Sequence, residues 1–472
     1  MSTARTVAKD TFSIAFSSIT AKMIAFFISV YLARYLGVED FGKYTFIITY
    51  LLLFGFIASF GLDSVVIRKI SKNPPESKNI MSNATIIRIL TSIIAIVIAI
   101  AAINALKYPA DTRYYIQLIA AILLIQGLSY LFESLFQANM KMEYAAISLV
   151  IPKIIFATSI YYIIKNNLGL TEILMAYLIS ELARTIISFI FSRRILRFRL
   201  QFERATFKDL IKNSLPFVLG YGLFVLYNRF DILMLSTMQG DIEVGYYSAA
   251  YKLTESLLFI PGALAATLMP VMTKQFDRNK EKLIHTYKLG IRYVIILVMP
   301  ITLGGVILGN DIIYLVYGED FTNSIIVFKV LTFTIIFNSL IYIQTSLLVA
   351  SNNQQLNNIS VTVCAVLNII LNLILIPHYS YLGAGIATLI SVVVLYLFGF
   401  YFIHQRFQIQ PLNKDFLKYI GASMGMGIVV ININVNIVSQ VIIGATVYVL
   451  LVLLLKGFTR EDITALNVLK RK

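Results

Sequence analysis

Of the 472 residues, 58% are hydrophobic and only 14% charged, and the mean hydropathy is +0.80. A soluble domain carries about 25% charged residues, so a water-soluble globule cannot hide this much apolar surface and lipid must solvate much of it. The net charge of +16 fits basic loops held on the cytoplasmic side of a membrane, and a nucleic-acid partner is not expected. A single cysteine, Cys364, excludes a disulfide framework and a cysteine metal site.

The polar N-terminus enters the first apolar run without a cleavable signal pattern. Apolar runs near the roughly 20 residues needed to cross about 30 Å of hydrocarbon predict an all-α polytopic membrane protein with about 14 transmembrane helices. Six spans are expected at 11–36, 41–67, 80–104, 114–137, 143–164 and 171–192. Six more follow at 213–238, 242–272, 286–308, 324–350, 357–376 and 382–404, and two at 415–432 and 437–455. The implied domains are an N-lobe (1–200), a basic linker (201–212), a C-lobe (213–408), and a region at 409–472 holding two extra C-terminal spans and a basic tail.

The loops divide by charge. Arg68, Lys69, Lys72, Lys78, the cluster Arg193–Lys212, Lys274–Lys288 and Lys456–Lys472 fall on one side, whereas the opposite loops hold Lys107, Arg113 and Lys165 among many acids. The positive-inside rule places the basic side and both termini in the cytoplasm of a cell membrane. An even number of spans agrees with that.

Two stretches resemble each other at a distance. Gly42-Lys43-Tyr44 falls on Gly245-Tyr246-Tyr247 at a shift of 203, and Ile87-Arg88 on Ile291-Arg292 at 204. The segment from Phe136 falls on that from Leu348 at 212, and Leu168-Gly169 on Leu382-Gly383 at 214. Matches in order at a slowly drifting shift predict an internal repeat. Because six spans separate the copies, the two six-helix lobes are expected to be parallel repeats, the layout of a transporter with a site between lobes.

Several charges lie inside the spans. Arg34 and Lys43 sit near outer ends, where long cations snorkel to water. Lys22, Arg229 and Lys252 lie deeper, where a charge costs about 2.5 kcal/mol or more unless it faces water or a partner. Ser18, Lys22 and Ser29 share one helix face, as do Ser248, Lys252 and Glu255, while Asn228 and Asp231 flank Arg229. A cationic, hydroxyl-rich cavity suits an anionic, sugar-bearing substrate. Its predicted lining is Lys22, Asn228, Arg229 and Lys252; Arg88, Arg292 and Lys153, about two turns from the cytoplasmic end, are expected either to snorkel to water or, for the two arginines, to join that lining. Asp231 and Glu255 are expected to gate these cations or simply to neutralise them. Glu133 and Glu181, on polar stripes with Gln126, Ser129, Tyr177 and Arg184, are candidate proton or cation relays or helix–helix ties.

The segments "YLARYLGVEDFGKYTF", "FGLDSVVIRKISK" and "YLGAGIATLIS" resemble the polysaccharide-exporter branch of the multidrug/oligosaccharidyl-lipid/polysaccharide exporter superfamily, which includes O-antigen-type flippases. The resemblance covers the whole chain. It implies a flippase, not an enzyme and without a cofactor, that carries a polyprenyl-pyrophosphate-linked oligosaccharide to the outer leaflet, with coupling to H+ or Na+. In the related lipid II flippases, basic residues of the first, second and eighth spans line the cavity. Lys22 and Lys252 match the first and eighth, whereas the second span has uncharged Thr49. A cation-coupled antiporter of the same superfamily is the nearest alternative, but such exporters often carry an acid inside the first span, where this chain has Lys22. A membrane glycosyltransferase using Glu39-Asp40 would need more acids or a large outer domain.

Overall fold

The computed structural model describes the backbone of residues 3–409 and 416–457, and the side chains among them from residue 17 onward except 219–221, 223 and 224. The basic tail from 458, and Lys414 before the thirteenth span, lie outside the described residues.

All regular structure among the described residues is helical. The first part of the chain forms α1 (Thr3–Ser59), α2 (Leu62–Lys72), α3 (Ser77–Ala105), α4 (Ala110–Ile119), α5 (Ile122–Ala138), α6 (Met142–Lys165), α7 (Leu170–Ile195) and α8 (Arg204–Met238). There follow α9 (Asp241–Leu257), α10 (Phe259–Phe276), α11 (Lys280–Ile307), α12 (Gly309–Tyr317), α13 (Ser324–Ala350), α14 (Gln354–Phe407), α15 (Phe416–Asn432) and α16 (Ile437–Leu454). Ten of the described segments are long and apolar enough to cross a membrane. Two of these, Ser17–Lys72 and Gln354–Phe407, have 56 and 54 residues, more than twice one crossing. Each must turn back, and the backbone bends at Gly37 (φ 71°) and at Ser380 (φ 50°). With α8 and the shorter α15, every predicted span falls on one helix, on half of a bent helix (continued into α2 for the span at 41–67), or on two short helices in series. The chain is a multi-pass membrane protein.

The bends recur at the shifts seen in the sequence. Gly37 and Gly240 (φ 108°) are both left-handed and lie 203 residues apart. Met140 (φ 54°) and Asn352 (φ 58°) are 212 apart, and Asn167 (φ 51°) and Ser380 are 213 apart. A left-handed residue without glycine is uncommon, so its return at matching points is evidence for the repeat independent of residue identity.

Two compact units emerge, Met1–Ser248 and Ala249–Lys472. In the first, α1 packs on α3, α6 and α8, and α5 packs on α2, α3 and α7. Its core joins Leu62, Val65, Val66 and Ile70 of α2 to Ile80, Met81, Ala84 and Ile87 of α3 and Leu131 and Leu135 of α5. The boundary falls one span after the basic linker, because α8 packs on α1, α2 and α3. Sequence similarity locates where a repeat begins; it carries no information about which neighbour its first helix packs against. In the second unit α13 packs on α10, α11 and α14, and the α15–α16 pair docks on α11.

Outward-facing apolar side chains, such as Ile93, Ile94, Val97 and Ile98 of α3 and Val438, Val441 and Ile442 of α16, are exposed. On a soluble protein such stripes would aggregate. Here they form the lipid-facing surface.

Candidate functional site

Four of the ten predicted site residues are tied into their own unit. Arg88, expected near a cavity, is fully enclosed: it pairs with Asp63 and donates to the carbonyl of Ala58 at 3.0 Å. Local structure explains why. Residues Phe60 and Gly61 are both left-handed and end α1, leaving carbonyls of its last turn without helical partners. Arg88 and the Thr91 hydroxyl (2.9 Å) take up Ala58 O, and Ser134 donates to Asp63 at 3.4 Å. In this conformation Arg88 is engaged within the first unit and has no surface to offer a substrate. Arg292, its counterpart in the repeat, donates from Nε to the Tyr419 hydroxyl (3.1 Å) and from Nη2 to the Gly457 carbonyl (3.0 Å). It latches α11 to the end of the C-terminal helix pair.

Glu133 and Glu181 share one network. Arg184 of α7 grips Glu133 of α5 with two parallel bonds of 2.8 Å, the fork geometry that makes arginine–carboxylate pairs strong. Glu181 lies 3.4 Å from Lys153 of α6 and 3.6 Å from Arg184. The Tyr130 ring lies under the guanidinium at 4.6 Å, and Gln126 donates to the Tyr177 hydroxyl at 3.2 Å. The network ties α5, α6 and α7 together. The sequence shows Arg184 and Lys153 as spare cations, but their partners lie 51 and 28 residues away and only packing reveals the pairs.

The remaining six lie on α1, α8 and α9. In the first unit Lys22 is exposed on α1, and Asn228 and Arg229 are half-buried on α8. Asp231 is buried; it accepts from the Tyr247 hydroxyl and from the Ile232 backbone N–H (2.8 Å). A carboxylate so held is fixed in position between α8 and α9. In the second unit Lys252 and Glu255 approach to 3.9 Å, with side chains 37% and 44% exposed. At this length the contact is at the outer limit of an ion pair.

Lys43 does not snorkel to water. Its ammonium sits 2.6 Å from Asp111 and 3.9 Å from Asp241, and its side chain is 14% exposed. Beside it the starts of two helices touch. A Cβ added to Gly42 would overlap the Asp241 carbonyl, and one added to Gly245 would overlap the Val38 carbonyl. Val38 and Asp241, like Gly42 and Gly245, are 203 residues apart, so the contact is reciprocal between equivalent residues, the pattern of a two-fold interface. Tyr108 extends the seam, stacking on Phe46 at 4.8 Å and donating to Ser236 at 3.2 Å.

Comparison with known proteins agrees with this architecture. A family model described as polysaccharide biosynthesis protein matches residues 7–276, and the MatE model matches 216–374. The chain is 24% identical over 394 residues to a putative O-antigen transporter of Shigella flexneri, covering 77% of this chain and 90% of that one. It is 28% identical over 169 residues to a probable low-salt glycan biosynthesis flippase, Agl15, of Haloferax volcanii, covering 36% of each. Its fold matches that of the lipid II flippase MurJ in an inward closed conformation, with a TM-score of 0.80 at 17% identity, over 93% of this chain and 97% of that one.

Proposed function

Because the chain belongs to the polysaccharide biosynthesis protein family, we propose that it flips a polyprenyl-pyrophosphate-linked oligosaccharide from the cytoplasmic to the outer leaflet of the cell membrane. The observation that carries this reading is the set of cations, Lys22, Arg229 and Lys252, inside otherwise apolar helices. A pyrophosphate crossing hydrocarbon needs cations, and a glycan needs hydroxyl and amide partners. Two parallel six-helix lobes, supported by the recurring bends, would expose these groups alternately to the two leaflets. Asp231 and Glu255 hold the cations when substrate is absent. Glu133 and Glu181 are matched by Arg184 and Lys153, so their first role is to hold α5, α6 and α7 together; coupling to H+ or Na+ falls to the carboxylates nearer the cations. The direct experiment is translocation of a labelled lipid-linked oligosaccharide in proteoliposomes.

The orientation has both termini cytoplasmic, supported by the loop charges. With Cys364→Ala as background, a cysteine at Glu319 is expected to react with an impermeant thiol reagent in intact cells and one at Lys208 is not. Labelling at 208 alone would reverse the topology.

In that orientation the Gly42–Gly245 seam lies toward the outer leaflet and closes that side. Either glycine replaced by leucine forces helix starts apart, because the overlapping atoms are backbone carbonyls with no rotamer to yield. Overpacking of this kind costs about 1–3 kcal/mol, so Gly42→Leu should slow translocation by roughly tenfold while the protein still inserts. Normal flipping by both Gly42→Leu and Gly245→Leu would show that the seam never has to close.

A further inference from the structure

The connection between α7 and α8 is more than a spacer. It is extended at Leu196 and at Glu203 and is stitched to the first turns of α3. The Ser82 hydroxyl bonds the carbonyls of Arg199 and Gln201, each at 2.8 Å. The Glu203 N–H donates to Asn83 at 3.0 Å, and the Asn79 amide donates to the Glu203 carboxylate. Three polar side chains at one end of a membrane helix thus fix this strap at a set depth. Ser82 lies near the start of α3, whose exposed apolar stripe begins at Leu90, eight residues on, or about 12 Å at 1.5 Å per residue, so the strap runs at the rim of the span.

Its two kinds of side chain fit that rim. The strap carries three apolar side chains at alternate positions, Phe198, Leu200 and Phe202. Phe198 is buried in the core of the first unit, whereas Leu200 and Phe202 are 61% and 63% exposed. Around them Arg193, Arg194, Arg197, Arg199, Arg204, Lys208 and Lys212 are all exposed. The two acids of the stretch are engaged, Glu203 by Asn79 and Thr206 and Asp209 by Lys69. Apolar side chains beside a cluster of cations at a membrane surface match the headgroup layer of an anionic bilayer, where charge attraction and shallow insertion act together.

We propose that the 193–212 strap is a binding surface for anionic phospholipid, with Leu200 and Phe202 set into the acyl boundary and the arginines on the headgroup phosphates. The chain has no tryptophan, so Phe202→Trp supplies a single fluorophore, with Leu200→Trp as a second reporter if the first disturbs folding. Full-length protein is reconstituted in bilayers containing brominated phosphatidylglycerol or brominated phosphatidylcholine at equal mole fraction. Quenching by the anionic lipid should exceed that by the zwitterionic lipid by about threefold, and Arg197→Gln, Arg199→Gln and Arg204→Gln together should bring the ratio near unity. A tryptophan at Ile98 on the lipid face of α3 should be quenched alike by both. The proposal is overturned if the strap reporter is unquenched, is quenched equally by both lipids, or keeps its preference without the arginines. Reversal by soluble inorganic pyrophosphate would likewise overturn it, since the cations would then serve a phosphate ligand from solution.

Discussion

Arg184→Ala should lower the stability of the protein by about 3–5 kcal/mol, the cost of breaking a buried ion pair from one side. The guanidinium is the hub of its network: it holds Glu133 through two 2.8 Å bonds and lies 3.6 Å from Glu181. Without it two carboxylates remain in a poorly solvated interior with only Lys153 nearby. The expected result is a lower thermal midpoint in detergent and less folded protein in the membrane. Glu133→Gln combined with Arg184→Met removes both members of the bidentate pair and fills the space, so it should recover much of the loss, because apolar replacement of a whole buried pair is often neutral or better. A double variant no more stable than Arg184→Ala would mean that packing around the side chain, rather than charge balance, sets its importance.

The same network shows what a sequence can and cannot convey about such a protein. Span positions were legible because about 20 apolar residues in succession have one physical outcome in lipid. The repeat was legible as well: Gly42 and Gly245 aligned at a shift of 203 before anything indicated that the two glycines pack together. Contact between equivalent residues depends on how helices cross, and a linear pattern does not encode that. The partners of Arg88 are hidden from the sequence for a related reason. Only the break at Phe60–Gly61 makes the Ala58 carbonyl available to it and brings Asp63 within reach. Lys43 looked like a snorkelling residue because it stands near a span end; Asp111 and Asp241 arrive beside it from helices 68 and 198 residues along the chain.

Removal of the three cations proposed to meet the substrate, Lys22, Arg229 and Lys252, should be felt in transport rather than in folding. Lys22→Ala, Arg229→Ala and Lys252→Ala are each expected to slow flipping in proteoliposomes about ten- to a hundredfold, the loss of one charge-assisted contact of roughly 1.5–3 kcal/mol. Lys252 is the most informative of the three. Its contact with Glu255 is 3.9 Å long and both side chains are more than a third exposed, and a pyrophosphate carries more charge than one carboxylate with which to compete for the ammonium. Lys252→Arg keeps the charge but changes reach and fork geometry, and should retain partial activity. Glu255→Gln removes the competitor: substrate should bind more tightly and leave more slowly, so affinity rises while turnover falls. Lys165→Ala, at the exposed C-terminal end of α6, serves as the control and should leave the rate unchanged. If all three alanine variants flip at the normal rate with normal folded yield, the intramembrane cations belong to helix packing and do not meet the substrate.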